Sequence, residues 1–254
     1  MPEALRLLSA GAAQGVVEAI RAPFLAASGT EIDATFGAVG ALAEKLDAGE
    51  RCDVVILTAA MIGERERNGN LASGTSAPLG RVRTGVAVRV GDPSPAIGDR
   101  AELASVLQSA PAVYVPDTQR STAGIHIAGV LRRLGIAEAL APRLSIHPNG
   151  ATAMRALAAA SSRGAIGCTQ ITEIKYTPGV ILVGALPRGL ELSTLYSVAV
   201  GNAAQERDAA RQFVRRLSSP ETRALRENAG FECRPAARGC QARPVIRADQ
   251  VNWR

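Results

Sequence analysis

The first half of the chain repeats one unit: a short apolar strand, a turn rich in Gly or Ser, then a helix whose apolar side chains share a face. Residues 6–9 read as the first strand. The helix after it, at about 13–27, brings Val16, Val17, Ile20, Phe24 and Leu25 together at helical spacing. Residues 31–36 and 53–57 give the next strands, separated by a helix at 39–46 that closes at Ala48 and Gly49. A run of β-branched residues and Arg at 81–90 ends in the turn Gly91-Asp92-Pro93-Ser94-Pro95, and predicts a crossing between two lobes.

The rhythm then restarts. Strands are predicted at 112–115, 144–146 and 165–168, helices at 122–134 and 151–160, and a long returning strand at 192–200. Helices at 203–217 and 220–229 follow, the second with Pro220 in its first turn, where a missing N–H costs nothing. Strand–helix alternation of this kind predicts an open, mostly parallel α/β sheet. The expected division is a first lobe at 1–88 plus 196–232, a second at 89–195, and a basic C-terminal tail at 233–254. Ligands in such folds lie where strand ends meet helix starts, so a cleft between the lobes is the expected site.

Composition narrows the function classes. With 254 residues, 47% of them hydrophobic, the chain has enough apolar material for a sizeable core. No apolar stretch approaches the roughly 18 residues that span a bilayer, so no membrane insertion is expected. Glu3 comes early and the first strand starts almost at once, so no export leader is expected. The chain as written therefore reads as cytoplasmic, or as periplasmic if a leader has been removed.

The net charge of +6 is concentrated in the tail, where five Arg stand against one Asp. Arg234, Arg238, Arg243 and Arg247 are spaced by Pro, Gly and Ala rather than packed in a run, which favours a solvated tail over a nucleic-acid arm. Aromatic residues make up only 3%, too few for base-stacking platforms, so no nucleic-acid partner is expected. Cys52, Cys168, Cys233 and Cys240 lack metal-ligand spacing. Cys52 and Cys168 read as small buried hydrophobes, while Cys233 and Cys240 are spaced to close a loop in an oxidising compartment.

Five loops join a strand end to a helix start: Ser9-Ala10-Gly11-Ala12, Gly37-Ala38-Val39-Gly40, Gln119-Arg120-Ser121-Thr122-Ala123-Gly124, Pro148-Asn149-Gly150 and Thr169-Gln170. Free N–H groups at helix starts attract oxyanions, and small residues let a ligand approach the backbone. Each loop alone is adequately explained as a helix cap. Five in register favour a shared pocket.

The segments LRLLSAGAAQGVVEAI, IDATFGAVGALAEKLDAG, CDVVILTAA, STAGIHIAGVLRRLG and GAIGCTQITEI resemble the molybdate-binding family of periplasmic solute-binding proteins, over about residues 4–232. The resemblance implies a type II periplasmic-binding-protein fold: two α/β lobes, a two-strand hinge and a ligand in the cleft. It also implies a monomer, and an ABC transporter permease as partner.

The family's two molybdate hydroxyls align with Ala12 and Val39, its late Tyr with Gln170, and its small anion-contacting residue in the second lobe with Ala123. Neither Ala12 nor Val39 donates a side-chain hydrogen bond, and each lost charge-assisted bond costs on the order of 1.5–3 kcal/mol. The expected ligand is therefore a small acidic solute other than molybdate, a di- or tricarboxylate or another oxyanion. Arg81, Arg83 and Arg120 are its candidate clamps, alongside the alternative that they are surface arginines. Gln170, Asn149, Gly150, Ser121, Thr122, Ser9, Gly11 and Ala38 complete the candidate contacts.

The same branch of the family includes aconitate isomerase, so the resemblance carries an alternative: a cofactor-independent isomerase that shifts a proton along a tricarboxylate. Candidate bases near the loops are His126, Asp117 and Glu173, with His126 placed first and His147 more weakly supported. No metal or organic cofactor is expected. A third reading is a ligand-sensing effector domain, although no helix-turn-helix precedes the fold.

Overall fold

A computed structural model describes residues 4–233. Arg234 and the later arginines, together with Cys240 and the expected Cys233–Cys240 link, lie outside the described residues.

The chain opens with β1 (Leu5–Ala10), α1 (Gln14–Ser28), β2 (Ile32–Gly37), α2 (Val39–Asp47) and β3 (Val54–Thr58). A short 3-10 segment, Gly11–Ala13, links β1 to α1. Next comes α3 (Ala59–Arg67), started by the Thr58 hydroxyl accepting from the N–H of Met61 at 3.4 Å. Sequence periodicity does not reveal α3, because it buries only Ile62 and Arg65 among a run of Glu and Arg.

The long strand β4 (Ala77–Arg89) crosses to the second half. That half contains α4 (Arg100–Ser109), β5 (Val113–Pro116), α5 (Thr122–Arg133), α6 (Ala137–Leu140), β6 (Leu144–His147), α7 (Gly150–Ala158), β7 (Ile166–Gln170), α8 (Ile171–Tyr176) and β8 (Val180–Ala185). The chain returns through β9 (Ser193–Val200), then α9 (Arg207–Ser218) and α10 (Arg223–Ala229).

Helix α4, α8 and β8 are further elements that the pattern leaves out. α9 starts at Arg207 rather than at 203, because Asp53 holds the preceding turn: its Oδ1 accepts the N–H groups of Gln205 at 2.8 Å and Glu206 at 3.4 Å. Pro220 opens a 3-10 turn before α10 instead of α10 itself.

The strands run β2-β1-β3-β9-β4-β7-β5-β6, with β8 also on β4. β1 is parallel to β2 and β3, and β5 is parallel to β6 and β7, as strand–helix–strand units require. β4 serves both halves. Its first part pairs antiparallel with β9 (Arg81 opposite Leu195), and its later part with β7 (Val86 opposite Cys168) and β8.

Three sets of core residues form around this shared strand. One gathers side chains from Leu5 to Val82 and from Tyr196 to Phe231, and includes an edge-on contact of Phe24 on Phe213 with centroids 5.2 Å apart. The other two lie between Val86 and Leu190, the smaller of them around Met154 and Leu157. Each half thus buries its own apolar face, and β4 with β9 forms the hinge between them.

Candidate functional site

Parallel strands deliver their C-terminal ends to the same edge of each lobe, and the two edges face one another. There a small cavity is enclosed by Gly11 and Ala12 after β1, Ala38 and Val39 after β2, Ser121 and Thr122 at the start of α5, Asn149 before α7, and Gln170 at the end of β7. Glu173 and the hinge residue Tyr196 close it. Its interior measures only about 10 Å³, room for roughly one water with the lobes in this position, so a solute enters only as they part. The starts of α2, α5 and α7 and of the 3-10 turn before α1 all border it, so the positive ends of several helical turns lie around one small volume.

Some candidate donors are partly used by the fold. The Asn149 side chain accepts from the N–H of Thr152 at 2.9 Å, and the Ser121 hydroxyl accepts from the N–H of Gly124 at 3.4 Å. Capping consumes acceptor capacity only, so the Asn149 amide and the Ser121 hydroxyl keep their protons to donate. Gln170 is buried; its Nε2 donates to the Tyr196 hydroxyl at 3.1 Å and its Oε1 has no partner. The Tyr196 hydroxyl also meets the Thr122 side chain, and burial together with nearby Glu173 raises its pKa.

The carboxyl of Glu173 is the cavity's ionisable centre. It accepts the Thr169 hydroxyl at 2.6 Å and the backbone N–H groups of Gln170, Gly150 and Ala151. Burial pushes its pKa upward against those bonds, because a charge removed from water is disfavoured. The site depends on two glycines for this arrangement. A Cβ on Gly11 would lie 2.5 Å from Glu173 Oε1, and one on Gly150 would overlap the same carboxylate and the Thr169 hydroxyl. Gly150 therefore makes room for Glu173.

Other candidate residues lie elsewhere. Arg81 and Arg83 do not reach the cavity. Arg81 Nη1 donates to the carbonyl of Ser193 at 3.3 Å and borders an outer groove near Arg223 and Cys233, while Arg83 pairs with Glu232 at 2.6 Å. Ser9 is buried and donates to the carbonyl of Ala10, and Ala123 is packed inside α5.

Arg120 lines a neighbouring groove and crosses the lobes: its Nε meets Glu44 of α2 at 3.1 Å, and its carbonyl accepts the N–H of Gly40 at 2.9 Å. His126 lines a neighbouring groove with Gln119, Arg120 and Leu192, and its Nε2 donates to the carbonyl of Leu190 at 2.8 Å. Asp117 receives the N–H groups of Gln119 and Arg120, which lower its pKa and suit it to a loop cap. His147 stacks on Tyr114, and burial lowers its pKa.

Tyr196 has no counterpart among the sequence-derived candidates. Alternation marks it as an inward residue of a strand, but only the pairing of β9 between β3 and β4 brings it beneath the cavity.

Known proteins share this architecture. The family model for bacterial extracellular solute-binding proteins matches residues 5–232. Aconitate isomerase of a Pseudomonas species is 27% identical over 241 residues, covering 91% of this chain and 88% of that enzyme. The periplasmic molybdate-binding protein of Azotobacter vinelandii superposes with a TM-score of 0.75 at 16% identity, over 91% of this chain and 100% of that one. PEB3 bound to L-phospholactate superposes at 0.66, also at 16% identity, over 91% of this chain and 100% of that one. The fold is thus the type II periplasmic-binding-protein arrangement of two α/β lobes, hinge and cleft. The match across 5–232 makes the chain a member of the bacterial extracellular solute-binding protein family.

Proposed function

We propose that the chain closes its lobes on a small acidic solute, a carboxylate rather than molybdate, and serves as the substrate-binding component of an ABC-type uptake system. The observation that carries this reading is the convergence of several helix starts on one interlobe cavity. The starts of α2, of α5 and of the 3-10 turn before α1, with Thr122, Ser121 and Asn149, offer donors to a carboxylate, and Arg120 lines the adjoining groove. Closure then sequesters the solute, as hinged two-lobe proteins do. The test is a thermal-shift series with citrate, both aconitate isomers, sulfate, phosphate and molybdate. A solute at 100 times its Kd stabilises by about 2.7 kcal/mol. The reading expects the carboxylates to raise Tm and molybdate to leave it unchanged.

A second reading, a cofactor-independent proton-shift isomerase, is favoured by Glu173. A buried carboxyl whose pKa is raised is suited to take a proton from one carbon and return it to the allylic carbon as the double bond moves. In this reading Glu173 is the base, because His126 Nε2 already donates to Leu190 and lies in the neighbouring groove with Gln119 and Arg120. Proton NMR of cis-aconitate incubated with the protein in deuterated water tests it. Conversion to the trans isomer with deuterium uptake supports it, and unchanged spectra with bound solute leave the transport reading alone.

A further inference from the structure

We propose that Glu173 sets the specificity of the cleft: its carboxyl group already occupies the anion-attracting start of α7, so the cavity rejects fully ionised inorganic oxyanions and accepts a carboxylic ligand bearing an O–H or a proton to share. This inference rests on reading the interlobe cavity as the solute site.

The geometry is that of an internal anion. α7 has nine residues and starts at Gly150, and the N–H groups of Gly150 and Ala151, which would otherwise face a ligand, are given to Glu173. Thr169 adds its hydroxyl at 2.6 Å, and the absence of a side chain at Gly11 lets Oε1 lie against the first-lobe loop. A dianion in this cavity would compete with Glu173 for the same N–H groups while sitting beside its charge. That juxtaposition is unfavourable wherever water is excluded.

A second observation points the same way. Gln170 lines the cavity, and its Oε1 is buried without a hydrogen-bond partner. Gln170 therefore presents an open acceptor beside the Glu173 carboxyl, whose own acceptor sites are filled, and an open acceptor calls for a donor. Sulfate and molybdate carry none, whereas a hydroxy acid or a half-protonated carboxyl carries one. The other groups around Glu173 do not change this balance. Tyr196 is the titratable group beside it from β9, and the facing loops of the first lobe line the cavity with Ala10, Gly11, Ala12, Gly37, Ala38 and Val39, none of which titrates. On its own helix, Lys175 extends toward Gly230 and Tyr176 packs on Gly15.

The test is isothermal titration of the full chain with sulfate, which keeps both charges throughout the range used. Wild type is expected to bind sulfate weakly at about pH 8 and at least about tenfold more tightly near pH 5, as Glu173 takes up a proton. Glu173→Gln is expected to bind at least about tenfold more tightly than wild type at pH 8, with little dependence on pH. Equal sulfate affinity in the two proteins, or no sulfate binding at any pH, overturns the proposal. If Glu173→Gln fails to fold, the wild-type pH series decides alone: a flat series overturns it.

Citrate binding to wild type and to Ala38→Leu, which fills the cavity, separates the two levels of the argument. Citrate affinity lost in Ala38→Leu together with unchanged sulfate behaviour rejects the role of Glu173 and keeps the cavity as the site. Citrate affinity unaffected by Ala38→Leu rejects the cavity itself, and the proposal with it.

Discussion

The backbone N–H of Gly40 donates to the carbonyl of Arg120 over 2.9 Å, joining the start of α2 in one lobe to the loop before α5 in the other. The approach tolerates no side chain, since a Cβ on Gly40 would lie 2.8 Å from that carbonyl oxygen and 3.0 Å from the Arg120 Cα. Gly40→Val should therefore hold the lobes apart. Small-angle scattering should show a larger radius of gyration than wild type, and solute affinity should fall at least about tenfold, or about 1.4 kcal/mol. An unchanged radius and affinity would mean that closure does not need this contact. The neighbouring Arg120–Glu44 pair is exposed, so Glu44→Gln should cost no more than about 1 kcal/mol of closure.

Arg81 and Arg83 supply a contrast. Both lie on the exposed side of β4, and Arg83 is paired with Glu232 at 2.6 Å. Arg83→Ala should leave solute affinity within about twofold of wild type, because an exposed ion pair outside the cavity contributes little. A loss beyond tenfold in the same titration would return Arg83 to the site.

Glu173 should leave a mark on stability. Burial raises its pKa above the ordinary glutamate value, so over a range of pH the folded chain holds a proton that the unfolded chain has released. The associated stability is fully present below the unfolded pKa and is lost as pH rises through the folded one. Wild type should therefore lose Tm across that window relative to Glu173→Gln, whose side chain does not titrate. Parallel Tm–pH curves for the two proteins would contradict this.

The buried thiols give a chemical check. Burial pushes both Cys52 and Cys168 up to about 12, leaving on the order of one thiolate in ten thousand at pH 8. A thiol reagent followed by peptide mapping should leave Cys52 and Cys168 unlabelled until denaturant is added. Rapid native labelling of either would place it nearer the surface than its packing allows.

Much of this arrangement is legible in the sequence because caps and cleft loops use the same residues. Ser121, Asn149, Gly11 and Ala38 mark helix starts whatever the ligand, and the parallel sheet gathers those starts at one edge. Side-chain direction on the hinge is less legible. The alternation of β4 places Arg81 and Arg83 on one face without saying which, and their register opposite Leu195 and Ser193 turns them toward Glu232. Glu173 is visible in the sequence only as a nearby acid. Its importance comes from close approach to Gly11 and Gly150, which are 162 and 23 residues away along the chain. Helix α3 escapes because an exposed helix with few buried side chains carries little periodic signal.

The most direct test of the central claim is a crystal structure of the protein with the carboxylate that gives the largest thermal shift. The account predicts that solute between the lobes, within hydrogen-bonding distance of Thr122 and Gln170 and against the backbone of Ala12 and Val39. A solute seated instead in the outer groove beside Arg81 and Arg223, or in no defined place, would contradict it.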